Sequence, residues 1–260
     1  MSGAALAHLN ALQSEARIPH PLWRDRLALA AAELSNRLSG RTESAYGLRD
    51  AVHLTRHGDD PGPAGIVLYR WSRAVSRPIS VDLLRRTLGQ GMHDPIVLAF
   101  KATEGPAVER ASRVLEAVLL DNARNEMEAL LLADATLSRS LGWSFVTPVL
   151  GLSLTAREIR LRDEELRLAC HRAIIRGVEK AVSVAADTTR RVVRLREVAP
   201  KLRARGATRA VELFMSRDAM PPSVFDFMSD RAARRLCDRL VELGAIRELT
   251  GRDSFRLYGV

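Results

Sequence analysis

The sequence predicts a mainly α-helical protein in two parts, a multi-helix N-terminal bundle over residues 1–200 and a C-terminal winged helix-turn-helix over residues 201–260. Three observations predict it. Apolar residues recur at helical spacing through the N-terminal part. No alternating apolar and polar pattern typical of a β-strand occurs before residue 244. Residues 229–258 then contain a helix, a glycine, a short strand, a polar turn and a second short strand, which is the order of a winged helix with a β-hairpin wing.

Residues typical of helix starts divide the first half of the bundle. Pro21 opens a stretch of helical spacing, and a second helix is predicted over residues 43–55. After a loop rich in Gly, Pro and Asp, Pro63 is well placed to start a helix over residues 64–76. Ser80 resembles the N-cap of a further helix.

A long apolar period continues over residues 106–141 and predicts two antiparallel helices that meet near residues 122–125. Glycine and proline interrupt this period, so we expect a loop and a candidate boundary between subregions near residues 142–155. Long helical segments return over residues 157–205, with a proline near their end.

The C-terminal helix, residues 230–243, has a recognisable start and end. Ser229 is a good N-cap, and Gly244 is typical of the position just after a helix. A short helix is predicted before it over residues 220–228. Residues 245–258 alternate as two strands around a Thr-Gly-Arg-Asp turn, which predicts the hairpin wing.

The formal net charge of +9 is distributed unevenly along the chain. Residues 1–150 carry 17 basic and 16 acidic side chains, whereas residues 151–260 carry 23 basic and 15 acidic ones. A basic C-terminal half suggests an anionic partner, and we expect this partner to be DNA because winged helices are DNA-binding modules. The alternative is that these arginines are solvated helix faces paired with Glu and Asp.

Four arginines are the candidate DNA-binding residues. Arg231, Arg234 and Arg235 lie on the predicted recognition helix, where they could contact base edges or phosphates. Arg252 lies in the turn of the wing, from which it could contact phosphate or the minor groove. Three acidic residues on the same helix would weaken its attraction for phosphate. The same small fold also serves as a protein-interaction domain or as a packing element.

A candidate ligand pocket is predicted in the helical part from His53, Arg56, Asp59 and Trp71. His53 and His57 also have the spacing of two metal ligands on one helix face. The alternative is a helix end whose histidines favour the helix dipole. Because no acidic residue lies inside this motif to act as a general base, we predict no metal site and no cofactor.

Composition excludes several classes of protein. No run of 18 apolar residues occurs, and the N-terminus lacks the pattern of a secretory signal, so no membrane partner is predicted. Cys170 and Cys237 are too few for a disulfide framework or a zinc cluster and suit the reducing cytoplasm. The glycine-rich loop at residues 58–65 lacks the Gly-Lys-Ser/Thr ending of a phosphate-binding loop. No catalytic constellation is evident.

Distinctive runs of residues are spread over most of the chain. They are Gly-Leu-Arg-Asp-Ala-Val-His-Leu-Thr-Arg (47–56), Gly-Asp-Asp-Pro-Gly-Pro-Ala-Gly (58–65), Leu-Ala-Asp-Ala (132–135), Leu-Gly-Trp (141–143), and residues 198–207, 229–243 and 247–252. Together these runs resemble a bacterial family called domain of unknown function 1403. The resemblance implies a protein of alphaproteobacterial chromosomes, plasmids and symbiosis-type mobile elements, and it implies no activity. The family usually has proline at the position of His57, which argues against a histidine-pair metal site.

These observations predict a cytoplasmic, non-enzymatic protein that binds DNA through its C-terminal winged helix, as a regulatory or plasmid-maintenance factor. The helical part would then serve dimerisation, sensing or the docking of a partner. One alternative is an adaptor whose winged helix binds another protein. A second alternative is a ligand- or metal-binding helical enzyme of unknown reaction.

Overall fold

The computed structural model describes residues 1–55, 58–101, 103–250 and 255–260, and it is mainly α-helical, as predicted. The α-helices are α1 (Ser2–Gln13), α2 (His20–Leu38), α3 (Ala45–His53), α4 (Gly62–Ser76), α5 (Val81–Leu88), α6 (His93–Lys101), α7 (Ala107–Asp121), α8 (Glu126–Ser140), α9 (Asp163–Val198), α10 (Ala207–Phe214) and α11 (Asp230–Glu242). Short 3₁₀ helices lie at Gln90–Met92, Leu150–Leu152, Glu158–Arg160, Ala199–Lys201 and Pro222–Val224. Two short strands, β1 (Arg247–Glu248) and β2 (Tyr258–Gly259), pair antiparallel.

Local signals set several helix boundaries as the sequence predicts. The Ser80 hydroxyl accepts a hydrogen bond from the Leu83 amide (3.1 Å) and so caps α5. The Ser229 hydroxyl accepts one from the Ala232 amide (3.4 Å) at the start of α11. The apolar run predicted as two antiparallel helices forms α7 and α8, which pack against each other.

The N-terminal part is built around one continuous apolar core, whose buried side chains range from Leu6 in α1 to Ala185 in α9. Residues 146–154, named here the core segment, run through this core in a largely non-helical conformation. The apolar side chains that the core segment buries are Val146, Val149, Leu150, Leu152 and Leu154. The candidate boundary near residues 142–155 therefore falls on a segment buried inside a single core.

A buried backbone needs hydrogen-bond partners, and Asp134 of α8 supplies them to the core segment. One carboxylate oxygen, Oδ1, accepts hydrogen bonds from the amides of Val149 (3.1 Å) and Leu150 (2.8 Å). The other, Oδ2, accepts one from the Gly151 amide (2.9 Å). Burial raises the pKa of Asp134 to about 7, although the three amide hydrogen bonds lower it. The core segment is thus held by a side chain from the middle of a neighbouring helix.

Two glycines allow neighbouring helices to close on the core segment. A Cβ added to Gly177 of α9 would lie 2.2 Å from the carbonyl oxygen of Val149, so the backbones of α9 and the core segment are in direct contact. A Cβ added to Gly151 would lie 2.7 Å from the ring of Trp71 in α4. The Trp71 indole donates a hydrogen bond to the Ser35 hydroxyl of α2 (3.0 Å). Four helices therefore meet at this segment.

We predict that Gly177→Ala destabilises the protein by roughly 3 kcal/mol, in the upper range for overpacking a core, because the new methyl group would overlap the Val149 carbonyl. Urea unfolding measures the change. Gly47→Ala in α3 is the matched control, since its methyl group would meet only the Glu43 Cβ at 3.8 Å. Alanine there is expected to stabilise by up to about 1 kcal/mol. Equal changes in the two variants would contradict the proposed close contact.

We also predict that Asp134 makes a contribution to the free energy of unfolding that falls as the pH rises from about 4 to about 7. The unfolded chain releases the Asp134 proton near the ordinary value of 3.8, whereas the folded chain keeps it until about 7. Between these values the folded state binds the extra Asp134 proton, so this contribution to stability declines with pH by up to about 1.4 kcal/mol per pH unit.

Urea unfolding at a series of pH values tests this expectation against Asp134→Asn, which cannot titrate. Asp25, whose pKa burial raises to about 6, contributes in the same direction, whereas His20, His53 and His171, whose pKa values burial lowers, contribute in the opposite direction, and all four remain in the variant. The slope of stability against pH should therefore be less negative in Asp134→Asn than in the unsubstituted protein. An unchanged slope would show that Asp134 titrates at its ordinary value in the folded protein.

The C-terminal part packs around a second apolar core that begins within α9. Its buried side chains run from Val192 to Val260, and Leu22 of α2 joins them. Because α9 is one helix of 36 residues, it contributes to both cores and connects them without a break. The predicted division at residue 200 lies two residues beyond the end of this helix.

The two strands of the C-terminal part are joined by a third extended residue. In the β1–β2 pair, Glu248 lies opposite Tyr258. Tyr258 also pairs with Met220, which donates its amide to the Tyr258 carbonyl (3.0 Å) and accepts a hydrogen bond in return (2.9 Å). The segment that follows α10 therefore packs along the strand that ends the chain.

The short helix predicted over residues 220–228 is wrong in extent. Only Pro222–Val224 forms a helical turn, and it is a 3₁₀ turn. Pro221 and Pro222 lack amide donors, and a residue that precedes proline is disfavoured in the α-helical conformation. The two prolines therefore keep Met220 and Pro221 out of the helical conformation, and the turn begins at Pro222.

One carboxylate ties the two parts of the molecule together. Asp218, which follows α10, accepts hydrogen bonds from Arg49 of α3 through Nε (2.6 Å) and Nη2 (3.0 Å). Arg26 of α2 donates to the same carboxylate (3.3 Å), to the Thr188 hydroxyl of α9 (3.4 Å) and to the Val260 carbonyl oxygen. Burial raises the pKa of Asp218, but the two guanidinium groups outweigh this and hold the pKa below its usual value.

We predict that Arg49→Met destabilises the protein by about 3–5 kcal/mol, since it removes one partner of a buried ion pair and leaves the Asp218 charge poorly compensated. Arg209→Met is the control. Arg209 pairs with Asp226 at 3.6 Å and lies over the Phe227 ring at 4.5 Å on the surface, where each such contact contributes about 1 kcal/mol or less. Urea unfolding compares the two variants, and a small loss for Arg49→Met would show that Arg26 alone suffices.

Candidate nucleic-acid interface

α11 carries three of the four arginines predicted to contact DNA, and the structure separates them onto two rows of the helix. Residues four apart lie above one another on a helix, so Arg231, Arg235 and Arg239 form one row. This set is named here the arginine row. Arg234 lies on a second row together with Asp230, and all five side chains are exposed.

The arginine row keeps most of its charge free. Arg231 and Arg235 form no ion pair with any other residue that the structure describes. Arg239 donates a hydrogen bond from Nη1 to Glu242 Oε2 (2.9 Å), so its charge is partly neutralised. Two uncompensated guanidinium groups therefore face solvent on this side of α11.

The second row is close to neutral. Arg234 donates a hydrogen bond from Nη2 to Asp230 Oδ2 (2.8 Å), one turn earlier on the helix. A cleft on this side is lined by Arg234 and Arg256 together with Asp230 and Asp238, so its two cations are matched by two carboxylates. The acidic residues of α11 thus neutralise the row of Arg234 more than they neutralise the arginine row.

The arginine row borders a strongly basic cleft of about 810 Å³, named here the basic cleft. None of the described residues that line it is acidic. Its floor is apolar, and the side chains that form this floor are Leu202, Phe227, Met228 and Leu236. The cationic residues that line the cleft are Lys201, Arg203, Arg205, Arg235 and Arg239.

The turn between α9 and α10 contributes three of these cations. α9 ends at Val198, and the chain then forms a 3₁₀ turn at Ala199–Lys201. Gly206 ends the turn at a φ of 87°, a conformation that favours glycine. A Cβ on Gly206 would lie 2.7 Å from the Phe227 ring, so the turn packs closely against the segment before α11.

Sequence reasoning missed Lys201, Arg203 and Arg205 as site residues. The available signal was three cations at alternate positions with no acidic residue between them. In the structure all three are exposed, and none forms an ion pair with another described residue. They lie about thirty residues before Arg235 in the chain, so only the packing of the turn against α11 brings them together.

A smaller basic cleft of about 450 Å³ lies at the other end of α11. Arg194 of α9 donates a hydrogen bond to the Leu243 carbonyl oxygen (3.2 Å), which holds α9 beside the end of α11. The cleft is lined by four arginines and one carboxylate, and these are Arg190, Arg191, Arg194, Arg247 and Asp187. Positive charge therefore flanks α11 at both ends.

Of the candidate ligand pocket, the structure describes His53, Asp59 and Trp71, and Trp71 does not face solvent. Trp71 has no exposed surface and packs in the N-terminal core, which identifies it as a core residue. Burial lowers the pKa of His53, and nearby Asp218 partly offsets this, so His53 lies beside the ion pair that joins the two parts. Asp59 is exposed, and Arg56 lies outside the described residues.

The remaining candidates from the sequence are Arg252, the histidine pair and the two cysteines. Arg252 of the predicted wing lies outside the described residues, as does His57 of the histidine pair. Within the described part of the chain, no three His, Cys, Asp or Glu side chains are grouped so that they could hold a metal ion. Cys170 and Cys237 are buried, and burial raises the pKa of each thiol to about 12, which disfavours the reactive thiolate.

Over the described residues, the structure has no helix that is long and apolar enough to span a membrane. The search of curated proteins gave no match. The family model described as "Protein of unknown function (DUF1403)" matches residues 1–260. The chain therefore belongs to this family, as the runs of residues quoted from its sequence predict.

Proposed function

We propose that this protein binds double-stranded DNA through the basic cleft and the arginine row of α11. The observation that carries the proposal is the basic cleft itself, in which five cations converge without an acidic side chain among the described lining residues. Clustered cations on one face attract the phosphate backbone and release its counterions. The role we propose is regulatory or plasmid maintenance, by binding and not by catalysis.

The order of elements in the C-terminal part supports a winged-helix arrangement. α10 is followed by the extended residue Met220, a 3₁₀ turn, α11, and the strands β1 and β2, with Tyr258 paired to both β1 and Met220. In a winged helix the element at the position of α11 enters the major groove. α11 is about 20 Å long, comparable to the axial length of about six base pairs.

The surroundings of each arginine suggest different roles on DNA. Arg231 and Arg235 have free guanidinium groups on the exposed row of α11 and are proposed to contact base edges or phosphates. Lys201, Arg203 and Arg205 lie beside that row and are proposed to contact phosphate. Arg234 is already bound to Asp230, so its contribution is proposed to be smaller.

We predict that the full chain binds a fluorescent 30-base-pair duplex of arbitrary sequence, with an affinity that falls steeply between about 50 and 200 mM salt. Fluorescence anisotropy over a salt series measures the slope of log affinity against log salt. Arg205→Gln and Arg235→Gln should each weaken binding and reduce the magnitude of this slope by about one, because each removes a cation of the basic cleft.

The neighbouring substitution Arg234→Gln is the matched control, since it removes an arginine from the same helix that is already paired with Asp230. It should change the slope less than Arg235→Gln does. Absence of binding at about 50 mM salt would overturn the proposal. Equal effects of Arg205→Gln, Arg235→Gln and Arg234→Gln would also overturn it, because binding would then depend on the net charge of the protein and not on the basic cleft.

The apolar floor of the basic cleft favours a protein partner as the second candidate function. Leu202, Phe227 and Met228 are half-buried, so the cleft offers apolar area beside its cations. An acidic partner helix with an apolar face would match both features. Purification of the intact chain with one stoichiometric protein, retained after nuclease treatment and lost in Phe227→Ser, would favour this adaptor function over DNA binding.

A further inference from the structure

A separate cleft of about 640 Å³ lies in the N-terminal part, where three connections between helices meet. This volume is in the usual range for small-molecule sites. The connections are the end of α2, the turn between α7 and α8, and the segment that leads into α9. Together they contribute four arginines to the lining, namely Arg41, Arg124, Arg160 and Arg162. This site is named here the four-arginine cleft.

The four guanidinium groups keep their charge available to a ligand. None of them forms an ion pair with another residue that the structure describes. Arg162 donates one hydrogen bond, to the Leu161 carbonyl oxygen (2.8 Å), and Arg41 and Arg162 are half-buried. Partly desolvated arginines without carboxylate partners attract anions more strongly than fully solvated ones.

The remaining lining residues add an apolar wall and one carboxylate. Leu119 and Ile159 are buried behind the arginines, and Leu38 is half-buried beside them. Glu126, at the start of α8, is the only acidic side chain among the described lining residues. Burial raises the pKa of Glu126, while Arg160 lowers it. The cleft thus offers apolar contact, one hydrogen-bond acceptor and a large excess of positive charge.

The backbone adopts an uncommon conformation at the residue after Arg162. Asp163 has a φ of 49°, the only positive value among the non-glycine residues that the structure describes. Its amide donates a hydrogen bond to Glu116 Oε1 (2.8 Å), so this carboxylate is bound to the backbone and not to Arg162. Such strain persists where the surrounding structure requires it, here directly after a cleft-lining arginine.

We propose that the four-arginine cleft binds a small molecule with two phosphate groups and a planar apolar part, the chemistry of a nucleoside diphosphate. Arginine forks match phosphate oxygens through paired hydrogen bonds, and four of them suit a diphosphate better than a single anion. Leu38, the half-buried apolar side chain of the lining, then contacts the planar part, and Glu126 accepts a hydrogen bond from an amino or hydroxyl group. The proposal is independent of DNA binding, which uses other residues.

Isothermal titration calorimetry of the full chain tests the proposal with three probes: ADP, pyrophosphate and adenosine. We expect ADP to bind at one site, pyrophosphate to bind at least about tenfold more weakly, and adenosine not to bind at millimolar concentration. Arg160→Gln should weaken ADP binding by about tenfold or more. Arg157→Gln is the matched control. Arg157 is exposed just before the 3₁₀ turn Glu158–Arg160, which contains Arg160, but it does not line the cleft.

A second control separates this site from the basic cleft. Arg235→Gln should leave ADP binding unchanged, and circular dichroism should show that all variants remain folded. Absence of ADP binding at about 1 mM would overturn the proposal. If pyrophosphate bound as tightly as ADP, the proposal that the cleft recognises a planar apolar part would be overturned. Equal loss in Arg157→Gln or Arg235→Gln would overturn the assignment to this cleft.

Discussion

The packing of the N-terminal part depends on the hydrogen bonds that Asp134 accepts from three successive amides of the core segment. Irregular backbone normally lies on a protein surface, where water satisfies its polar groups. Here it crosses the core, and a single carboxylate replaces that water. Because the segment is so held, α9 contacts it at Gly177 and α4 contacts it through Trp71. Without the carboxylate, three buried amides would lose their hydrogen-bond partners. The surrounding helices would then lose the ordered segment against which they pack.

The position of the C-terminal part depends on a second buried carboxylate. Asp218 binds Arg26 and Arg49, and Arg26 also reaches α9 and the carbonyl of Val260. These bonds join helices from the start of the chain to the segment between α10 and the strands. Since α9 belongs to both cores, the angle between the two parts is set along one continuous helix and by this ion pair. The basic cleft is built from the turn that follows α9 and from the C-terminal part, and the smaller cleft from the end of α9 and the C-terminal part, so the shape of both depends on how α9 packs against α11.

The chain has a net charge of +9, and whether each of its cations is available to a partner depends on whether a carboxylate pairs with it. Arg234 is neutralised by Asp230, and Arg26 and Arg49 are used to join the two parts of the fold. Other arginines, such as Arg235 and Arg160, remain unpaired among the described residues and lie in clefts. Unpaired cations line the clefts on which the two binding proposals rest, beside α11 and at the junction of α2, α8 and α9.

The sequence by itself determined the helical class, most helix positions, the caps at Ser80 and Ser229, and the basic character of the C-terminal half. These features follow from apolar spacing, from local side-chain hydrogen bonds and from composition, none of which requires distant contacts. Only the tertiary structure decided the roles of Asp134, Asp218 and Lys201. The partners of Asp134 are backbone amides, which have no signature in a sequence, and the partners of Asp218 lie far away along the chain. Which cations converge on a cleft is likewise a result of packing, because residues distant in sequence meet only when helices pack together.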